Sequence, residues 1–339
     1  MTYDIRIEAA GVTDRGSVRA DNQDQFFVAE LTRCLNTISS SLALQEGTQL
    51  NGATLGHLLM VADGMGGHSA GVEASRLAVQ YFIASILNRI RWLSPKSNPD
   101  ESALIEDLKL ILNQSHREIK RQSELDPDLT GMGTTFTMAY VIWPRMHIVH
   151  AGDTRCYLFR QGKLQLLTSD HTVAEQLMKS GRLQPDSTQR SPWSNVLVNA
   201  LGADADAVQA EISAVELVDQ DIVLMCSDGL NKHVEDLQIQ NTIIQNPEPQ
   251  ALCQALVEQA KTAGGTDNVT VVAARWRRAS QGDGMPIYQS IRNTSSLFRE
   301  IASPSEELET HELSSENRSQ LDLSDAPTRP IHVDDLRHP

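Results

Sequence analysis

Residues 58–68 read LLMVADGMGGH. An apolar run of this length, closed by glycine, predicts a buried strand. Asp63 then stands where the strand emerges from the core, and Gly64, Gly66 and Gly67 give the backbone room to bend and to let a ligand approach. A single Asp-Gly step fits an ordinary turn equally well. The chain, however, repeats the pattern. Residues 222–230, IVLMCSDGL, again end an apolar run in Asp-Gly, and residues 264–272, GGTDNVTVV, set Asp267 at the start of one. Three carboxylates at the ends of three core strands, far apart in sequence, point to one site for a hard cation. Each alone also fits a turn cap.

Working outward, residues 3–13 alternate apolar positions and predict an edge strand. Residues 11–28, GVTDRGSVRADNQDQFFV, form a polar loop running into a strand. That loop fits a solvated turn, or one that points Arg19 and Asp24 into a site, Arg19 as a fork for phosphate. Residues 31–57 read as an inserted loop or irregular hairpin without chemistry. Ser69 or Ser75 opens a helix whose body, 72–91, is apolar nearly all round and therefore buried. A second helix, 102–124, carries Leu104, Leu108, Ile111, Leu112 and Ile119 on one face.

Strand character returns over 133–142, 146–151, 157–159 and 164–167, the last two paired across Gln161-Gly162. A short helix over 173–179 ends at Gly181. Strands are expected over 195–201, 210–217, 222–226 and 268–276, and helices over 234–245 and 249–262. Strands cluster apart from helices, which excludes an alternating parallel α/β fold. The expected class is α+β: two mainly antiparallel sheets packed together with helix pairs outside. After residue 279 eleven acidic residues stand against five basic ones and apolar residues thin out. Residues 279–339 are therefore expected to be a disordered acidic tail, either a regulatory arm or a plain spacer, and 1–278 the folded domain.

With 44 acidic and 29 basic residues the net charge is −15. This argues against nucleic acid or an anionic membrane as a general partner. The four cysteines show no CxxC spacing, which excludes a zinc ribbon and suits a reducing compartment. The first residues lack the basic-then-apolar pattern of a signal peptide, and no stretch reaches the roughly 20 apolar residues of a membrane span. The expectation is a soluble, cytoplasmic monomer.

Asp63, Asp228 and Asp267 are hard oxygen ligands suited to Mg²⁺ or Mn²⁺. An aspartate shared by two such ions sets them about 4 Å apart, an arrangement that clamps in-line displacement at phosphorus. The Gly64 carbonyl, unshielded by a side chain, offers a further ligand.

Eight short motifs now fall in one order: RADNQD (19–24), DGMGGH (63–68), GMGTT (131–135), GDTR (152–155), DHT (170–172), ALG (200–202), SDGL (227–230) and GGTDNVTVV (264–272). In this order they resemble the bacterial form of the PP2C-type metal-dependent serine/threonine protein phosphatases. The resemblance runs from Gly11 to Trp276 and omits the tail. It implies a four-layer α-β-β-α sandwich with two Mn²⁺ or Mg²⁺ ions and a third, weaker one. It implies that Asp63 bridges both metals, that Gly64 lends its carbonyl, that Asp228 and Asp267 complete the first metal's shell, and that Asp153 helps hold the third. Arg19 is implied to contact phosphate and Asp24 to support metal-bound waters. Residues 173–194 match a mobile flap.

Two departures stand out. Gln23 replaces a glutamate common in the family, and the 31–57 loop is long. His68 is a candidate proton donor set three residues too far along for the family's histidine, and His171 reads as structural. The implied activity is hydrolysis of phosphoserine and phosphothreonine in protein substrates of cytosolic kinases, by direct attack of a metal-bridging water. The rival readings are a non-catalytic phosphoprotein-binding module and a hydrolase of small phosphoesters.

Overall fold

The computed structural model describes residues 5–36, 49–67, 69–89, 101–184, 191–203 and 207–278. His68, residues 37–48 of the long segment, residues 185–190 of the expected flap and the expected tail 279–339 lie outside them.

Two antiparallel sheets form the centre. The first orders its strands β1 (Ile5–Asp14), β12 (Val269–Arg278), β11 (Ile222–Cys226), β7 (Arg155–Arg160) and β8 (Lys163–Leu166). The second runs β10 (Glu211–Glu216), β6 (Arg145–Ala151), β5 (Phe136–Ile142), β3 (Gln49–Met65), β4 (Gly133–Thr134) and β9 (Leu201–Gly202), with β2 (Asp24–Asn36) also paired to β3.

Strand alternation sorts the core into three apolar layers. Leu59 and Val61 of β3 meet Val223 and Met225 of β11 and Val272 and Ala274 of β12 between the sheets. Leu58, Met60 and Ala62 face the other way, onto α1 (Ser69–Arg89) and α2 (Glu101–Leu125). Leu224, Val271 and Ala273 pack beneath α5 (Asp236–Gln245) and α6 (Pro249–Thr262). The result is the expected α-β-β-α order.

The same parity places the site. Asp63 continues the Leu59–Val61 face and Asp24 the Phe26–Val28 face, so both carboxylates sit on the inter-sheet side. They lie directly opposite each other in the β2–β3 ladder.

Most expected elements form within a few residues. Helix α1 opens at Ser69; Ser75 lies inside it and donates its hydroxyl to the Gln23 carbonyl at 2.6 Å. Of the two readings of 31–57, the described residues take the hairpin, with register shifts after Leu31 and Thr32. The expected strand over 195–201 does not form beyond a single bridge at Leu197 and the short β9. The backbone here and just before it serves instead to cap α3 (Val173–Lys179): the Val173 amide donates to the Val196 carbonyl and the Ala174 amide to that of Trp193. No helix among the described residues is long and apolar enough to cross a membrane.

Candidate metal centre

Each expected site residue is delivered by a different local device. The Asp63 backbone is clamped by the GMGTT motif: the Thr135 amide and the Thr134 hydroxyl both donate to its carbonyl at 2.9 Å, and its own amide donates to Thr135 Oγ1 at 3.0 Å. Gly64 is required by close approach. A Cβ there would lie 2.0 Å from the Gly71 carbonyl oxygen of α1 and 2.8 Å from that of Gln23. We expect Gly64→Ala to cost about 1–3 kcal/mol through this overlap, measurable as a shift in urea midpoint at constant slope.

Asp153 follows Gly152, whose φ of +119° suits glycine and whose added Cβ would strike Thr135. The DHT motif grips this turn. The His171 amide donates to the Gly152 carbonyl at 2.7 Å, the Gly152 amide donates to His171 Nδ1, and Asp170 takes Arg155 in a two-point ion pair. His171 is thus structural, as expected.

Asp228 begins the short helix α4 (Asp228–Asn231) directly after β11. Asp267 precedes β12, where Asn268 ties the 15–23 loop down by donating to the Arg15 and Asp21 carbonyls and accepting from the Gln23 amide. The Gln23 side chain lies against Gly71 at the start of α1.

These devices bring Asp24, Asp63, Asp153, Asp228 and Asp267 close enough for their charges to oppose one another. Burial pushes the Asp63 carboxyl well above the usual range, and Asp24, Asp228, Asp153 and Asp267 push it further. Asp153 is raised by burial and then by Asp228 and Asp170. Burial lifts Asp24 to about 7 against the pull of the Ser227 and Thr270 hydroxyls, which both donate to its Oδ2 at 2.7 Å. Asp228 is raised by burial, with Lys232 opposing. Only Asp267 is held below its ordinary value: burial works against that, and Lys232 and Arg19 outweigh it.

Arg19 forks Asp267, Nε to Oδ1 at 2.8 Å and Nη2 to Oδ2 at 3.0 Å, with its side chain 53% exposed. Lys232 reaches both Asp228 and Asp267. Among the described residues Asp63 and Asp153 make no ion pair, and the buried Oδ1 atoms of Asp24 and Asp228 have no hydrogen-bond partner. Buried carboxylate oxygens left unpaired beside like charges are costly. A hard divalent cation is the group that such a donor set fits.

A second cluster, His150, His171 and Glu211, has ligand atoms within 4.8 Å of one another. Its hydrogen bonds are complete without an ion. His150 Nε2 donates to the Ser169 carbonyl, Nδ1 faces the Thr137 hydroxyl, and His171 Nε2 donates to Glu211. Burial and the neighbouring His171 press His150 down to about 4, so it stays neutral.

Five residues beyond those expected help build the centre: Ser227, Thr270, Thr134, Thr135 and Lys232. Ser227 and Thr270 lie inside the motifs of Asp228 and Asp267, one and three positions away, and Thr134 and Thr135 lie in the GMGTT motif, where Thr134 pairs with Gly64 across the ladder; that placement is the signal the sequence carries.

A profile of the family described as Protein phosphatase 2C matches residues 37–269. The chain is 33% identical to the serine/threonine protein phosphatase PstP of Mycobacterium tuberculosis, over 82% of this chain and 46% of that one. It is 28% identical to the serine/threonine phosphatase stp of Listeria monocytogenes, over 77% of this chain and 92% of the relative. A crystal structure of the M. tuberculosis PstP/Ppp superimposes with a TM-score of 0.63 at 32% identity, covering 79% of this chain and 98% of that one. The PstP catalytic domain in complex with two manganese ions does so with a TM-score of 0.63 at 31% identity, covering 80% and 99%. The chain belongs to the protein phosphatase 2C family. It spans about half the length of the PstP relative it matches.

Proposed function

We propose that the chain is a metal-dependent phosphoprotein phosphatase that hydrolyses phosphoserine and phosphothreonine. The observation that carries this reading is the convergence of Asp63, Asp153, Asp228 and Asp267, three of them lifted by burial and mutual repulsion. Asp63, Asp228, Asp267, Asp153 and the Gly64 carbonyl would hold Mn²⁺ or Mg²⁺. The ions supply electrostatic stabilisation of phosphoryl oxygens and an acidified water.

The protein's own groups do the rest. The exposed Arg19 is free on its solvent side to turn from Asp267 towards a dianionic phosphate, which offers the guanidinium fork two oxygens and a larger charge than a lone carboxylate. Asp24 keeps Oδ2 on Ser227 and Thr270. That leaves Oδ1 to accept from a solvent molecule and orient it beside Asp63. The Thr134–Thr135 clamp keeps the Asp63 backbone still while its side chain bears charge. Proteins phosphorylated by serine/threonine kinases are the proposed substrates, in line with the names borne by the relatives.

The test is hydrolysis of a phosphothreonine peptide with Mn²⁺, with and without EDTA. Turnover that needs Mn²⁺, stops in EDTA and returns on adding excess Mn²⁺ is expected. Metal-independent turnover, or none, overturns the reading.

A further inference from the structure

Lys232 stands apart from the rest of the centre. It is the residue that ends α4, one helical turn beyond Asp228, and its amide donates to the Asp228 carbonyl. Its ammonium pairs with Asp228 Oδ2 and lies 3.0 Å from Asp267 Oδ2. One nitrogen therefore bridges two carboxylates that come from different sheet strands' ends. Arg19, by contrast, is 53% exposed and forks Asp267 alone. The second oxygen of Asp228 is buried without a partner, and among the described residues Lys232 is the side chain in direct ion-pair contact with Asp228.

We propose that Lys232 is a built-in counter-cation of the Asp228–Asp267 pair, which a divalent ion must displace in order to bind there, and that it thereby lowers the metal affinity of this pair. The inference rests on the metal-centre reading above. The physical ground is competition for the same two carboxylates. A Mn²⁺ or Mg²⁺ ligated by the two carboxylates lies about 2.1 Å from each. An ammonium still on those oxygens would then be no more than about 5 Å from the ion, a like-charge contact that a partly desolvated site penalises. The lysine stem is long and unbranched, so the ammonium can swing to solvent without moving α4. When no divalent ion is bound, the same contact offsets the repulsion between Asp228 and Asp267. Lys232 thus makes the protein tolerant of metal loss and sets a threshold for metal uptake.

The full chain, stripped with EDTA and dialysed, is titrated with Mn²⁺ near neutral pH. Free Mn²⁺ is followed by electron paramagnetic resonance, for wild type, Lys232→Met, Lys232→Gln and Lys232→Arg. Asp228→Asn marks which sites depend on this pair. Loss of one charge-assisted hydrogen-bond partner is expected to tighten the Asp228-dependent site about tenfold or more in the Met and Gln variants. Lys232→Arg, which keeps the charge, is expected to stay near wild type. In parallel the Tm in EDTA falls in the Met and Gln variants, and the rise in Tm on adding Mn²⁺ grows. Equal or weaker Mn²⁺ binding in both neutral variants overturns the role of Lys232 and leaves the metal centre standing. A uniform fall in Tm with unchanged affinity also overturns it, as a merely structural contact would behave so. Absence of Mn²⁺ binding in every protein, wild type included, overturns the metal-centre reading and this inference together.

Discussion

Asp63→Asn is expected to abolish most peptide phosphatase activity and, at the same time, to raise the Tm of the protein in EDTA. The two effects share one cause. Asp63 sits where β3 leaves the core, opposite Asp24 in the ladder, and its charge is opposed by burial and by four other aspartates. Asparagine has the same shape without that charge, so the folded state is relieved whenever no ion is present to offset it. With Mn²⁺ the sign reverses, because the proposed ligand has lost its anionic oxygen. A bound ion contributes several kcal/mol to a phosphoryl transition state, and each 1.36 kcal/mol is tenfold in rate, so the loss is on the order of 10³-fold. Turnover of a phosphothreonine peptide and thermal unfolding in EDTA and in Mn²⁺ check the pair of outcomes. A structural aspartate would behave otherwise: its replacement would lower Tm in both conditions. Retained activity would remove Asp63 from the centre.

The layers of this fold were legible because β3, β11 and β12 are short, continuous apolar runs bounded by glycine, the pattern of a strand buried on both faces. The helices were legible from spacing, as the buried face of α2 illustrates. The segment 195–201 is β-branched and apolar enough for a strand, but Val196 and Val198 bond instead to Val173 and His171 at the start of α3, a tertiary demand that no local pattern announces. At the centre, the aspartates were legible because each ends an apolar run beside glycine. The hydroxyls that hold Asp24 were not assigned, since Ser227 and Thr270 become neighbours only when β11 and β12 pair. Lys232 was invisible for a similar reason. At four residues from Asp228 it reads as an exposed helix pair worth a few tenths of a kcal/mol. Only the approach of Asp267, 35 residues on, turns it into a bridge.

In EDTA, the stability of the protein is expected to fall as pH rises from about 6.5 to 8, and in Mn²⁺ to rise over the same window. The signs follow from which state binds the proton. The Asp24 carboxyl, raised by burial from 3.8 to about 7, holds its proton in the folded state at a pH where the unfolded chain has already lost it. Stability from such a group is complete below the unfolded value and is lost as pH rises through the folded one. The full shift corresponds to roughly 4 kcal/mol, most of it lost between the unfolded value and pH 6.5 and about 1 kcal/mol of it above; Asp63 and Asp153, raised in the same direction, add to the fall. Buried histidines act oppositely. His150, lowered by burial to about 4, confers stability that is present above the unfolded value of 6.5 and lost on acidification below it. Its contribution is therefore largely complete by pH 6.5, so the slope above that point belongs to the carboxylates. Asp267, held down by Lys232 and Arg19, titrates below the window and adds nothing to it. A divalent ion requires the ionised carboxylates, so it binds more tightly as pH rises and converts a destabilising deprotonation into a stabilising one. Thermal unfolding at half-unit steps, with EDTA and with saturating Mn²⁺, reads the two slopes. Asp24→Asn should flatten the EDTA slope in part. Parallel slopes in the two conditions would mean that the carboxylates neither repel one another in the folded protein nor meet at a bound ion.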